Sequence, residues 1–192
     1  MKRTILILLA VIAATAAVYW ADKATRVHIN AAPRPVVMKA GDSAPEIKVK
    51  DLEDKDVTLA DYKGKVVVLD FYATWCEPCR AETPHLVDLQ KQYADKGLQV
   101  IGLNVGGEDD RAQVPAYAKE FGIQYPLAYP DDDLVDQLLS DNQNIPQSFV
   151  YDRNGKLIKR FIGFESSGGA SQIERVVQQA LTVNTIAGQP AN

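Results

Sequence analysis

The chain has 192 residues, of which 46% are hydrophobic and 24% are charged, and this composition is typical of a globular domain. Its net charge of −4 argues against a nucleic-acid partner, which would require a basic surface. The lack of low-complexity segments and internal repeats excludes fibrous and solenoid architectures.

The first twenty residues differ in character from the rest of the chain. Two cations at positions 2 and 3 precede the uncharged run 5–20, which is typical of a membrane anchor or an export signal. As a helix this run spans ~24 Å, slightly less than the ~30 Å hydrocarbon core, and it ends on two aromatic residues suited to a membrane interface. Small residues at 14–16 also fit a cleavage site. Residues 1–20 are therefore predicted to be either a membrane anchor or a cleaved signal peptide, and the anchor is favoured.

Both alternatives predict the same compartment. Because the two cations stay inside, the rest of the chain is expected outside the cytoplasm, at the periplasmic face of a bacterial inner membrane. That compartment is oxidising, so cysteines kept there need a chemical reason.

The remainder of the chain is predicted to form one domain. Residues 21–40 contain two prolines and no hydrophobic periodicity, which is typical of a linker. The folded domain is expected over 41–182, and residues 183–192 are expected to form a flexible tail. A domain of that size buries enough apolar surface to fold without a stabilising crosslink.

Strand and helix patterns alternate through this domain. Short apolar runs predict strands at 47–49, 57–59, 66–72, 98–105, 148–151 and 156–162. Helical periodicity predicts helices at 79–95, 109–121, 131–140 and 173–181. The run 66–72 is apolar almost throughout, which indicates a strand buried on both faces. The pattern predicts an α/β fold, with a central mixed sheet flanked by helices and a leading β-hairpin.

Two local features refine the predicted helices. Pro84 lies inside the first helix and predicts a kink. The acidic run 131–133 suits the N-terminal end of a helix better than a metal site.

Both cysteines of the chain lie in the stretch Trp75-Cys76-Glu77-Pro78-Cys79. A structural disulfide is disfavoured, because crosslinking so short a loop removes little entropy from the unfolded chain. A closed zinc site is disfavoured because it needs four ligands, and the only histidines are His28 and His85. Transient Cu(I) binding by two thiolates stays open.

A reversible redox pair explains the placement of the cysteines best. The motif falls where a buried strand ends and a helix begins, so free N–H groups favour a thiolate at Cys76. We expect Cys76 to be the exposed, low-pKa nucleophile and Cys79 the buried thiol that resolves the mixed disulfide. Glu77 adds negative charge and Pro78 lacks an N–H, and both favour a reductant over an oxidant.

These residues resemble the active site of the thioredoxin superfamily. The stretch Phe71–Cys79 carries the strand, the tryptophan and the Cys-x-x-Cys helix start. Gly41–Pro45, Lys63–Lys65 and the dipeptide between the cysteines are similar to membrane-anchored ResA/TlpA-type thiol–disulfide oxidoreductases. The resemblance covers residues 41–182 and implies a thioredoxin fold with an N-terminal β-hairpin and a central insertion.

The resemblance implies three further catalytic residues. Pro146 matches the cis-proline that faces the active cysteines in the superfamily. Asp70 lies six residues before Cys76, where thioredoxins keep a buried acid that shuttles a proton to the resolving thiol; the ResA type lacks a carboxylate there. Glu82 matches a second acid near the disulfide, although a solvated helix glutamate is an equal alternative. The two acids are expected to share the proton transfer.

The resemblance also implies a substrate groove and partners. Trp75, Glu77, Pro78, Ile145 and Gly163 are expected to line the groove. The implied substrates are disulfide-containing proteins, namely apocytochrome c or copper-site proteins of cytochrome oxidase. A membrane protein of the CcdA/DsbD type is the implied electron donor, and no cofactor or metal is expected.

Two other classes of protein share features of this sequence. A peroxiredoxin shares the fold, but its Pro-x3-Thr-x2-Cys pattern would require other residues at Leu69 and Ala73. A copper metallochaperone usually has a histidine or methionine near its thiols, and the only methionines are Met1 and Met38. The sequence therefore predicts an extracytoplasmic thiol–disulfide oxidoreductase that acts mainly as a reductant, with the copper chaperone as the alternative.

Overall fold

The computed structural model describes residues 38–165 and 168–186, together with Thr15. The rest of the predicted anchor, and the predicted linker up to residue 37, lie outside the described residues. In the described part of the chain, no helix is both long enough and apolar enough to cross a membrane.

A seven-stranded mixed sheet forms the centre of the domain. Its strands are β1 (Lys48–Asp51), β2 (Asp56–Thr58), β3 (Val66–Tyr72), β4 (Leu98–Asn104), β5 (Leu127–Tyr129), β6 (Gln147–Tyr151) and β7 (Leu157–Ile162). They are arranged in the order β2-β1-β5-β4-β3-β6-β7. The β3–β4 and β4–β5 pairs are parallel and the other pairs are antiparallel. The predicted N-terminal hairpin is confirmed as β1–β2.

Helices cover both faces of the sheet. They are α1 (Glu77–Tyr93), α2 (Glu108–Arg111), α3 (Val114–Phe121), α4 (Asp132–Leu139) and α5 (Gly169–Ile186). Leu86 of α1 and Val177 of α5 pack with Val66 and Val68 on one face. Leu138 of α4 joins the core of the other face. Because β3 is buried along its whole length, the prediction of a two-sided core strand is confirmed.

Three details differ from the sequence prediction. The helix predicted at 109–121 is divided into α2 and α3, because Pro115 lacks an N–H and is accommodated in the first turn of a new helix. Strand β5 was missed, since three residues carry too little periodicity. Helix α5 continues to Ile186, so it includes the first residues of the predicted tail.

Candidate active site

The turn between β3 and α1 places both cysteines at the start of a helix. Cys76 is the N-cap residue of α1, and its sulfur accepts a hydrogen bond of 3.3 Å from the backbone N–H of Cys79. The two sulfurs are joined in a disulfide bond. After reduction, the same N–H and the helix N-terminus would stabilise a thiolate on Cys76.

The exposure of the two cysteines departs from expectation. Cys76 was predicted to be exposed, but its exposed fraction is only 5%, against 1% for Cys79. Both sulfurs are therefore largely covered in the disulfide form, because Cys76 lies against the loop before β6. The predicted order of accessibility stays the same, with Cys79 the more deeply buried.

The loop before β6 faces the disulfide. The Ile145–Pro146 peptide bond is cis, as the resemblance implied for Pro146. The carbonyl oxygen of Ile145 lies 3.8 Å from the Cys76 sulfur. Pro146 is buried, and its carbonyl accepts a hydrogen bond of 2.8 Å from the N–H of Gly163. Ile145 and Pro146 thus lie beside the reactive sulfur, and the hydrogen bond from Gly163 helps to hold Pro146 in place.

A buried glutamine fixes the same loop. The side-chain amide of Gln147 donates to the carbonyls of Asn142 at 2.6 Å and Asn144 at 2.7 Å. Its oxygen accepts a hydrogen bond of 2.8 Å from Arg160, which also contacts both carboxylate oxygens of Asp141 at 2.8 Å. These bonds satisfy the polar groups of a loop that would otherwise be free to move against the disulfide.

Two carboxyl groups are buried near the cysteine pair. Glu82 lies one turn after Cys79 on α1 and is 2% exposed, so the alternative of a solvated glutamate is wrong. Its Oε1 accepts a hydrogen bond of 2.8 Å from the hydroxyl of Ser148. Asp70 on β3 is 3% exposed and is the register partner of Ser148 on β6. Ser148 thus lies between the strand that carries one acid and the helix that carries the other.

Burial changes the acidity of both carboxyl groups. Desolvation, followed by the charge of Glu82, raises the pKa of Asp70 well above its usual range. Desolvation raises the pKa of Glu82 to about 7, against the opposing hydrogen bond from Ser148. Asp70 Oδ1 and Glu82 Oε2 have no hydrogen-bond partner among the described residues. Asp70 therefore keeps its proton to a higher pH than an ordinary aspartate, while Glu82, with a pKa of about 7, can accept or release a proton near neutral pH.

The surface around the disulfide carries an exposed aromatic side chain. Trp75 is 67% exposed immediately before Cys76, and Glu77 and Pro78 are exposed immediately after it. Ile145 is half-buried on the other side of Cys76. Trp75, Glu77, Pro78 and Ile145 therefore lie next to Cys76, and their role as a substrate groove, like that of Gly163, stays a prediction.

The cation that is nearest to the cysteines in the sequence, Arg80, is bound by other groups. The Arg80 guanidinium pairs with the carboxylate of Glu120 and lies 5.0 Å from the centre of the Phe121 ring. It also donates a hydrogen bond of 3.3 Å to the carbonyl of Thr74. The guanidinium of Arg80 is therefore engaged by Glu120, by the aromatic ring of Phe121 and by the Thr74 carbonyl.

Other candidate sites give no competing chemistry. In the described part of the chain, no cluster of three or more His, Cys, Asp or Glu side chains is arranged to hold a metal ion. A cavity of about 630 Å³ is lined by residues that include Ile47, Leu59, Val67 and Tyr151. Val67 and Tyr151 are register partners at the end of the β3–β6 pair that is away from the disulfide. The geometry points to the disulfide rim as the reactive site.

Several functional positions were not predicted from the sequence. Ser148, Gln147 and Arg160 were not singled out, although they hold Glu82 and the loop before β6 in place. Asp110 was missed as well, and it binds the turn just before Trp75. A strand serine or a helix aspartate has no local pattern that distinguishes it from a solvated one. Only the partner contributed by a distant segment reveals its role.

A mixed sheet between helices, a disulfide at a helix N-terminus and a cis-proline beside it define a thioredoxin-fold redox protein. Residues 40–160 match the model of the AhpC/TSA family, to which the chain belongs. The chain is 32% identical over 142 residues to the thiol–disulfide oxidoreductase ResA of a Bacillus cereus strain, covering 74% of this chain and 79% of that protein. It is also 32% identical over 139 residues to ResA of Geobacillus thermodenitrificans, covering 71% and 77%.

Solved structures agree with these relatives. A putative thiol:disulfide interchange protein DsbE from Chlorobium tepidum superimposes with a TM-score of 0.67 at 30% identity, covering 75% of this chain and 99% of that one. A DsbF homologue from Corynebacterium diphtheriae gives 0.63 at 27% identity, covering 78% and 96%. The chain is therefore a thiol–disulfide oxidoreductase of the ResA/DsbE type, with Cys76 and Cys79 as its redox-active pair. The peroxidase pattern stays unmatched at Leu69 and Ala73, which are both buried apolar residues.

Proposed function

We propose that this oxidoreductase works as a reductant, passing two electrons from its dithiol form to disulfides of proteins outside the cytoplasm. The observation that carries this direction is the acidic surrounding of the cysteine pair. Glu77 is exposed next to Cys76, Glu82 is buried one turn after Cys79, and Arg80 is bound to Glu120. Negative charge disfavours a thiolate, and a less stabilised reduced form gives up electrons more readily.

The geometry supports a complete exchange cycle. The Cys76 thiolate attacks one sulfur of a substrate disulfide, forms a mixed disulfide and releases the first substrate thiolate, which takes up a proton from water. Cys79 then loses its proton to the Asp70–Glu82 pair and attacks the Cys76 sulfur. The Cys76–Cys79 bond forms, and the second substrate thiolate leaves with a proton. The substrate gains two electrons and two protons, and the chain reaches the disulfide state described above.

The pathway we assign is cytochrome c maturation, with apocytochrome c as substrate. Its support is the ResA-type resemblance, together with an N-terminal segment whose sequence suits a membrane anchor or an export signal. A membrane protein of the CcdA/DsbD type would re-reduce the disulfide. An anchor of that kind would hold the active site near such a donor on the periplasmic side.

Trapping partners in the native compartment tests this proposal. In Cys79→Ala the resolving thiol is missing, so substrates that Cys76 attacks should accumulate as mixed disulfides. Cys76→Ala is the matched control, because it keeps one thiol but lacks the nucleophile. Apocytochrome c trapped on the first variant and not on the second supports the proposal. Copper-site proteins trapped in its place would assign the chain to cytochrome oxidase assembly, and the assigned pathway would be wrong.

A further inference from the structure

The turn that leads into the active site is anchored from a distant helix. Thr74 lies between β3 and the Trp75-Cys76 pair. Its backbone N–H donates a hydrogen bond of 2.9 Å to Oδ2 of Asp110, and its hydroxyl donates to Oδ1 of the same carboxylate. One carboxylate thus fixes both the backbone and the side chain of the residue that precedes the exposed tryptophan.

The position of Asp110 is built for this contact. Asp110 is buried, and its Oδ2 accepts a further hydrogen bond of 2.7 Å from the amide of Asn104 at the end of β4. A Cβ atom at Gly106 would clash with this carboxylate, so a glycine is needed there for Asp110 to fit. Three donors converge on this one acid, and a buried carboxylate with that many partners is costly to replace.

A second contact holds the other side of the same turn. The carbonyl of Thr74 accepts a hydrogen bond of 3.3 Å from Arg80. Arg80 is itself fixed by Glu120 of α3 and packs over the rings of Tyr117 and Phe121. The acids that hold Thr74, either directly or through Arg80, therefore lie in the segment between β4 and β5. We call it the insertion segment (residues 105–126).

We propose that Asp110 is a positioning residue for substrate capture, acting through Thr74 on the direction of Trp75. Because the Trp75 side chain is largely exposed, its backbone direction decides where the ring stands relative to Cys76. The insertion segment thereby sets how tightly a protein substrate is held while its disulfide reacts. This inference rests on thiol–disulfide exchange at Cys76, but not on the direction of exchange or on any pathway.

Asparagine in this position would weaken the anchoring of the turn, because it removes the negative charge of the acceptor. Thr74 supplies an N–H and a hydroxyl that both donate, and Asn104 supplies a third donor. In Asp110→Asn the amide oxygen could still accept from the Thr74 N–H and from Asn104, and the NH₂ group could donate to the Thr74 hydroxyl, but none of these bonds would involve a charged acceptor. The turn would lose at least one charge-assisted bond, and the Trp75 backbone would be less restrained.

Two assays on the full chain separate positioning from a general loss of structure. The first measures kcat and KM for reduction of insulin disulfides, with dithiothreitol regenerating the Cys76–Cys79 dithiol, and it requires a protein substrate to be held at the rim. The second measures the rate at which dithiothreitol, a small dithiol, reduces the Cys76–Cys79 bond. We expect Asp110→Asn to raise the KM for insulin about tenfold, the size of one charged hydrogen bond. We expect its kcat and its dithiothreitol rate to stay within about twofold of wild type.

Asp109→Asn is the matched control, since it removes the same charge from the neighbouring, exposed residue of α2. It should leave both assays unchanged. Thr74→Val and Thr74→Ser form a second pair, in which Asp110 itself is not substituted. The valine removes the hydroxyl donor and should raise the KM, whereas the serine keeps the donor and should rescue it.

Either of two results would overturn the proposal. If Asp110→Asn lowers the insulin and dithiothreitol rates equally, the residue supports the fold and not substrate capture. If Thr74→Val and Thr74→Ser have the same KM, the Thr74–Asp110 bond does not transmit the effect, even should Asp110→Asn fail to fold. Neither result depends on which protein is trapped in the native compartment, so this inference and the proposed pathway stand or fail separately.

Discussion

Ser148 and Glu82 are joined by a hydrogen bond of 2.8 Å, donated by the serine hydroxyl to Oε1 of the glutamate. Because Ser148 is also the register partner of Asp70, this bond ties the acid on α1 to the strand pair that contains the acid on β3. Glu82 retains an unpartnered oxygen among the described residues, as does Asp70. Each carboxyl group therefore has an oxygen that no other described residue occupies. If the two acids take part in proton transfer, as proposed above, the pH dependence of the enzyme should report on them.

The first prediction concerns proton transfer during resolution. Burial raises the pKa of Glu82 to about 7, so its proton-accepting form grows as the pH rises through 7. We expect the rate of mixed-disulfide resolution in wild type to rise over this interval. Glu82→Gln should lose that rise and slow resolution roughly 10²-fold, as expected for removal of a general base. The rate is measured across about three pH units on either side of neutrality, on a preformed mixed disulfide with a peptide thiol.

Asp88→Asn is the control for this variant, because Asp88 is an exposed acid on the same helix. It should retain the wild-type profile. Asp70→Asn should also slow resolution while leaving the fold intact. A Glu82→Gln enzyme with the wild-type pH profile would remove Glu82 from the proton path, and an unchanged Asp70→Asn enzyme would remove Asp70.

The second prediction concerns stability. The pKa values of Asp70 and Glu82 are raised in the folded chain, so the unfolded chain binds fewer protons above about pH 4. The stability contributed by the protonated acids is complete below their ordinary pKa values and is lost as the pH rises through the raised ones. Oxidised wild type should therefore be less stable at about pH 7 than at about pH 4.5, by about 2–3 kcal/mol from Glu82 alone.

Urea unfolding of the oxidised chain at several pH values measures this loss. Glu82→Gln should reduce this pH-dependent loss of stability, because glutamine has no charge to bury. Asp88→Asn should show the same loss as wild type. A Glu82→Gln variant that loses as much stability as wild type over the same pH interval would contradict the raised pKa of Glu82.

The third prediction concerns the reactivity of the two thiols. Cys76 is more accessible than Cys79 and accepts an N–H from it at the helix N-terminus, so its thiol should be the more acidic. Alkylation of the reduced chain near neutral pH should label Cys76 first. Because both sulfurs are largely covered, labelling should be slower than for an exposed cysteine of the same pKa. Mass spectrometry of digested protein after short reaction times assigns the label, and preferential labelling of Cys79 would reverse the roles.

The fourth prediction concerns the reduction potential. With Glu77 exposed beside Cys76 and Arg80 paired with Glu120, the cysteine pair should be reducing. We expect a midpoint nearer the ~−270 mV of thioredoxin than the ~−120 mV of a strong disulfide donor. Glu77→Gln should raise it by tens of millivolts, since a two-electron couple shifts by about 30 mV per 1.4 kcal/mol.

Equilibration against dithiothreitol or glutathione buffers gives the midpoint. The isosteric Glu77→Gln change is compared with Glu53→Gln, an exposed acid in the β1–β2 turn that should have no effect. A wild-type midpoint above about −180 mV, in the range of disulfide isomerases, would assign the chain to donation of disulfides and remove the reductant proposal.

Local patterns along the chain were enough to locate the redox centre and the framework that holds it. The spacing of Cys76 and Cys79 after the apolar run 66–72 predicted a thiol pair at a helix start, because strand and helix patterns depend on near neighbours in the chain. The N-terminal hairpin and the helix after the cysteines followed in the same way. The resemblance added the cis bond at Pro146, which local composition does not encode.

Long-range packing selects the polar residues that act on that centre. Glu82 meets Ser148 across 66 residues of sequence, and Thr74 meets Asp110 across 36. A glutamate on a helix has the same local pattern whether that face is solvated or buried, so its environment is set by whatever distant segment packs over it. The same reason explains why the three-residue strand β5 was missed: its place between β1 and β4 depends on its neighbours in the sheet and not on its own sequence.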